Sequence, residues 1–129
     1  MGLLTVKKRP AKGKLYVLYV WPEVEDWYVV KIGVTCSKEE TVDRVLEIVR
    51  SYYFQYRVIP RVYIKRFREV DDVYAKEKQL HEYFEGYKYE FDKPFSGKTE
   101  FFKGIDEEEL LDAYDRCVKG TLDEVEDKE

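Results

Sequence analysis

Residues 15–35 read Leu15-Tyr16-Val17-Leu18-Tyr19-Val20-Trp21, then Pro22-Glu23-Val24-Glu25-Asp26, then Trp27-Tyr28-Val29-Val30-Lys31-Ile32-Gly33-Val34-Thr35. Two runs rich in β-branched and aromatic residues flank a short polar segment opened by proline, which is the pattern of a β-hairpin. The second run ends in Lys31-Ile32-Gly33-Val34-Thr35, where a charge and a glycine interrupt an apolar strand. Glycine inside a strand marks a bulge or a place where another group comes close. The hairpin thus predicts the opening of a sheet and a point of chemical interest near its end.

Beyond the hairpin, Ser37-Lys38-Glu39-Glu40 fits a capping box, with Ser37 as N-cap and Glu40 at the third helical position. The helix is expected to run to about Tyr53. Val42, Val45, Leu46, Val49 and Tyr53 recur at helical spacing as its buried stripe, and Arg44 lies nearly opposite them. On periodicity alone Arg44 is a solvated arginine. Residues 57–67 read as a strand, with Pro60 suggesting an edge or a bulge. Its Arg57, Arg61, Lys65 and Arg66 fit two readings: a track for nucleic-acid phosphates, or edge charges that discourage aggregation.

Asp71-Asp72 opens a second helix, Val73 to about Glu85, with carboxylates at the positive end of its dipole. Val73, Leu80 and Phe84 form its apolar stripe. Glu77 falls inside the same angular sector, flanked by Tyr74 at i−3 and His81 at i+4. A carboxylate facing a core is costly unless it is paired, hydrogen-bonded or bound to a metal. A salt bridge is the plain reading, and a metal site is the sharper one. Residues 86–98 read as a loop and residues 99–102 as a short strand. Residues 106–118 read as a third helix, with Ile105, Leu110, Leu111, Tyr114 and Val118 inward and Gly120 as its stop.

With 129 residues, 44% of them hydrophobic, the chain is expected to form one domain. The expected division is a basic arm over residues 1–13, a folded domain over 14–119 and an acidic tail over 120–129. No apolar run is long enough to span a bilayer, and a cytoplasmic location is expected. Cys36 and Cys117 form no CxxC pair and are expected to be reduced thiols. Residues 106–129 carry 11 acidic and 3 basic side chains, and the remainder 16 acidic and 20 basic. A mildly basic body with an acidic end is compatible with a polyanionic partner.

The chain resembles the GIY-YIG nuclease superfamily through three signals in order. Leu15-Tyr16 stands for the first half-motif, and Lys31-Ile32-Gly33 stands where "YIG" would be. Glu77-Lys78-Gln79-Leu80-His81 and Gly97-Lys98-Thr99-Glu100-Phe101-Phe102 follow. The similarity is greatest to the phage-type branch, which carries "KIG" and an "EKxLH" helix, and it covers about residues 14–115. It implies an α+β fold in which a small, mainly antiparallel sheet opens with the hairpin and is flanked by helices. It further implies a DNA endonuclease using one Mg²⁺ or Mn²⁺. Carried over by motif, Tyr16, Lys31, Arg44 and His81 would be catalytic and Glu77 the metal ligand. Glu100 would take a related place where some members carry an asparagine, and Lys31 would lower the pKa of Tyr16. Two other readings stand beside it. One is a non-catalytic nucleic-acid-binding module of the same fold, and the other is a protein-interaction domain using exposed aromatics.

Overall fold

In the computed structural model, which describes residues 12–22, 27–36, 40–93, 95 and 100–122, the hairpin forms as expected. Strands β1 (Gly13–Trp21) and β2 (Val29–Cys36) pair antiparallel, with Tyr16 opposite Gly33 and Leu18 opposite Lys31. Helix α1 (Thr41–Tyr56) follows, then β3 (Arg61–Val70), α2 (Val73–Tyr83), β4 (Lys88–Tyr89), β5 (Phe101–Phe102) and α3 (Glu107–Lys119). The five strands make one sheet in the order β3-β1-β2-β5-β4, and every pairing is antiparallel. The fold is a small α+β sheet flanked by helices.

β1 sits inside the sheet and is covered on both faces, which explains why its sequence is a continuous apolar run rather than an alternation. Leu15, Val17 and Tyr19 join Val30, Ile32 and Val34 against Val73, Leu80 and Phe84 of α2 and Leu110, Tyr114 and Cys117 of α3. The opposite face carries Tyr16, Leu18, Val20 and Val29, packed on Ile48 and Tyr52 of α1 and on Phe91 and Phe101. The Tyr114 hydroxyl donates to the Leu15 carbonyl at 2.6 Å, tying α3 to the central strand.

Several local expectations are corrected. α1 is capped by Glu40, whose carboxylate and that of Asp43 bond each other's backbone amides; Ser37 lies outside the described residues. The buried face of α1 is Thr41, Ile48 and Tyr52, with Val45 and Tyr56 half-buried. Val42, Leu46 and Tyr53 are instead 51%, 58% and 39% exposed. Both sets have helical period and their centres differ by less than one position, or roughly 76° of rotation. The observed choice stacks Tyr52 on Tyr56 at 4.5 Å and sets both against Phe91 and Phe95. Aromatic packing of that size outweighs a few aliphatic contacts.

Arg57 is not in a strand. It terminates α1 in the left-handed conformation at φ 61°, its amide bonded to the Tyr53 carbonyl. β3 begins after Pro60 and extends to Val70, with a bulge against β1 between Val17 and Leu18. Within the segment read as a loop, a single 3₁₀ turn (Glu85–Tyr87) leads into β4. Cys36 is exposed and Cys117 is buried, and among the described residues neither forms a disulfide. Among the described residues, no helix is long and apolar enough to cross a membrane.

Candidate functional site

The register of the hairpin places Lys31, Gly33 and Thr35 of β2 on the same face as Tyr16 and Leu18 of β1, because side chains alternate along a strand. Tyr16 is fully buried, and its ring lies across Gly33. A Cβ added at Gly33 would stand 2.5 Å from the Tyr16 hydroxyl and 2.7 Å from Cζ. The glycine flagged in the sequence is therefore an opening for a tyrosine ring. Burial drives the Tyr16 pKa well above its ordinary value. The Arg44 guanidinium, hydrogen-bonded to the phenol, opposes that shift, whereas Glu100 and Glu77 add to it.

Arg44 reaches this face because the buried side of α1 differs from the one expected. It stands about 80° from the centre of the observed stripe rather than about 156° from the centre of the expected one. Its Nη1 also pairs with Glu47 at 2.9 Å. Lys31 is 1% exposed and ion-paired with Glu100, with its ammonium 5.9 Å from the Tyr16 ring centroid and 5.5 Å from that of Phe101. Burial lowers its pKa, and Glu100 partly restores it. The expectation that Lys31 lowers the pKa of Tyr16 is corrected: its charge is engaged by Glu100, and Arg44 is the group that acts on the phenol.

Glu77 comes to the site from the other layer. β5 is only two residues long, so among the described residues β2 has no strand neighbour on that side beyond Lys31. α2 fills the gap. His81 Nε2 lies 2.7 Å from the Ile32 carbonyl, which can only accept, so Nε2 carries the proton. Glu77, one turn earlier, interacts electrostatically with Glu100, Lys31 and Arg44. Burial first, and Glu100 second, raise its pKa from 4.5 to about 7. Among the described residues, His81 at 3.8 Å is the only basic group within 4 Å of it. A salt bridge to a lysine or arginine is therefore not what holds this carboxylate inside.

Tyr16, Lys31, Arg44, Glu77 and Glu100 thus meet, although they come from two strands, two helices and the segment before β5. His81 stands beside them with one ring nitrogen committed to backbone. Tyr74 is 55% exposed. The basic residues read from β3 do not join the cluster. Arg57 lies over the Tyr53 ring, Arg61 over Trp21, Lys65 pairs with Glu107 at 2.9 Å, and Arg66 donates to the Lys65 carbonyl. Two residues escaped the sequence reading. The hydroxyls of Thr35, on the Gly33 face, and Thr41, one turn before Arg44, are buried with no hydrogen bond among the described residues. No periodicity singles out such threonines; only their burial does.

The geometry defines a small α+β domain with a mixed-charge cluster in which Tyr16 and Lys31 are buried and Arg44, Glu77 and Glu100 are half-buried. The family model that matches is that of the T5orf172 domain, over residues 13–118, and the chain belongs to that family. The family is nucleic-acid-associated. The resemblance to GIY-YIG nucleases is corrected by this match, which is to a different family. The motifs behind it were short, and a strand ending in Ile-Gly beside a helix with Glu and His does not distinguish families. No curated protein and no solved structure matches the chain.

Proposed function

We propose that this protein is a metal-dependent endonuclease that hydrolyses phosphodiester bonds in DNA. The observation that carries this reading is Glu77, a carboxylate held among Glu100, Lys31 and Arg44 with a pKa raised to about 7 and, among the described residues, no lysine or arginine within ion-pair distance. Such a group costs stability, and a titratable residue shifted by burial within a charge cluster is a mark of function. Membership in a nucleic-acid-associated family supports a nucleic acid as the substrate class.

Phosphodiester hydrolysis needs a positioned nucleophile, a cation on the phosphate and a stabilised leaving oxygen. Arg44 brings a planar guanidinium, suited to two phosphate oxygens and to the charge that develops on them. Tyr16 keeps its proton at neutral pH, and its buried hydroxyl is hydrogen-bonded to the Arg44 guanidinium and helps to position it. The phenol is held protonated partly by Glu77 and Glu100. Neutralising those carboxylates lowers its pKa and leaves Arg44 as the nearest charge, the direction that raises the fraction of phenolate available to accept a proton. Lys31 keeps Glu100 in place, and His81 fixes the edge of β2 beside Gly33. Glu77 and Glu100 are hard oxygen donors of the kind Mg²⁺ and Mn²⁺ take one or two of, so they fit a divalent cation. When bound, such a cation supplies further charge neutralisation at the phosphate.

One observation favours the second reading, a non-catalytic DNA-binding module: the Lys31–Glu100 pair already satisfies part of the cluster internally. Cleavage of supercoiled plasmid with Mg²⁺, Mn²⁺ or EDTA separates the two. The endonuclease nicks it with metal, and Glu77→Gln reduces the rate by orders of magnitude. Retained DNA binding without metal-dependent nicking would establish the module instead.

A further inference from the structure

We infer that the hairpin end of the sheet is a stacking surface for the unpaired bases of a single-stranded nucleic acid, separate from the cluster around Gly33. Four aromatic side chains, Tyr19, Trp21, Tyr28 and Tyr63, gather there on one face, and a fifth, Trp27, lies at the same end of the sheet. Tyr28 stacks on Tyr19 with ring centroids 4.6 Å apart, and lies 5.2 Å from Trp21. Tyr63, 55% exposed, flanks Tyr19 at 6.4 Å. Trp27, on the other face, packs toward Tyr89.

Cations lie over these rings. The Arg61 guanidinium is 5.0 Å from the Trp21 centroid, and the Lys103 ammonium is 4.2 Å from that of Trp27. Cation–ring pairs on a surface often do no more than cover apolar carbon, and Lys65, paired with Glu107, reads that way. The Trp27–Lys103 pair differs because it borders open space. A pocket of about 220 Å³ is lined by Trp27, Tyr28, Val30, Lys103, Gly104 and Ile105. Gly104, at φ +90°, leaves its mouth clear, since an added Cβ there would meet nothing within 4 Å.

A pocket lined by two aromatic residues and one cation suits a flat π-system attached to a phosphate. Every base has a π-face, so ring stacking with nearby Lys or Arg recognises single strands with little sequence preference. A protein partner would not need Arg61 over the half-buried Trp21 and Lys103 over the half-buried Trp27, and a duplex hides its base faces. Trp27, two residues before β2, shares the alternation of Lys31 and Gly33 and packs with the same core face, about 13 Å from Lys31 at strand spacing. A chain whose phosphate lies at Arg44 can therefore run along β2 to this surface. The inference rests on the nuclease reading only for that last connection.

Both tryptophans of the chain, Trp21 and Trp27, belong to this surface, so tryptophan emission reports on it alone. The full chain in EDTA is titrated with oligothymidylate, oligouridylate, an abasic oligonucleotide of equal length and a blunt duplex. The oligothymidylate or the oligouridylate should quench emission, the tighter one identifying the polymer, while the abasic strand and the duplex should not. Tyr63→Ala and Lys103→Ala, both at exposed positions, should each weaken single-strand binding about 5- to 100-fold, the range for a lost stacked base. Equal quenching by the abasic strand or the duplex, no quenching at all, or wild-type affinity in both variants would overturn the proposal. Turnover plays no part, so quenching without plasmid nicking refutes the nuclease alone, and nicking without quenching refutes the stacking surface alone.

Discussion

Replacing Glu77 by glutamine removes a negative charge from a site where that charge is disfavoured, so the variant should gain stability as it loses activity. The folded protein raises the carboxyl pKa from 4.5 to about 7. At about 1.36 kcal/mol per unit the difference is about 3 kcal/mol, and contact with solvent (the side chain is 16% exposed) discounts it to about 2 kcal/mol. The folded pKa is the higher one, so the folded state binds the proton more tightly. Its stability contribution is complete below about pH 4.5 and disappears as pH rises through about 7. Glutamine keeps the shape and is neutral throughout. For a chain of 129 residues, about 2 kcal/mol corresponds to a Tm difference of about 7 °C. Thermal unfolding should therefore place Glu77→Gln about 5–8 °C above wild type at pH 8, with most of the gap closing at pH 5. Added Mg²⁺ or Mn²⁺ should raise the Tm of wild type and not that of the variant. If Glu77→Gln instead melts several degrees lower at pH 8, the carboxylate is half of a structural ion pair and the reasoning fails.

Three further outcomes follow from the same geometry. Gly33→Ala forces a methyl group to within 2.5 Å of the Tyr16 hydroxyl and should cost about 1–3 kcal/mol in urea unfolding, with cleavage falling alongside; a neutral effect would mean that the ring does not need the opening. Ile48→Ala should cost about 2–5 kcal/mol, whereas Leu46→Glu on the exposed side of α1 should stay within about 0.5 kcal/mol of wild type; a reversed order would restore the stripe read from the sequence. Duplex DNA binding in EDTA should weaken steeply between 50 and 200 mM salt as phosphate contacts release counterions, and salt-insensitive affinity would contradict an arginine- and lysine-based footprint.

The hairpin, α2 and α3 were legible because each carries a long apolar pattern bounded by its own stop signals, such as Asp106 at the start of α3 and Gly120 at its end. α1 was not, because two helical stripes less than one position apart compete within 41–56. The deciding contacts, Tyr52 and Tyr56 against Phe91 and Phe95, come from a segment about forty residues away. The misplaced stripe turned Arg44 outward, and only the motif resemblance, not periodicity, kept it among the candidates. Arg57 was read as strand because a left-handed helix end leaves no mark on an arginine. Glu77 was legible as an anomaly, a carboxylate in an apolar sector, but its neighbours were not. That β5 is two residues long, so that α2 rather than a strand lines β2, is decided by pairing and not by composition. The family followed the same pattern: short motifs pointed to a nucleic-acid-associated chemistry, and the match over residues 13–118 named a different family.

The most direct test is conversion of supercoiled plasmid by wild type and Tyr16→Phe, each with Mn²⁺, Mg²⁺ or EDTA. Tyr16→Phe keeps the ring over Gly33 and removes only the hydroxyl bonded to Arg44. Wild type should nick or linearise the plasmid in metal and not in EDTA, and Tyr16→Phe should be slower by at least about 100-fold, the lower range for losing a group that transfers a proton. A wild-type protein that leaves plasmid intact in every metal, or a Tyr16→Phe variant that cuts as fast as wild type, would contradict the assignment.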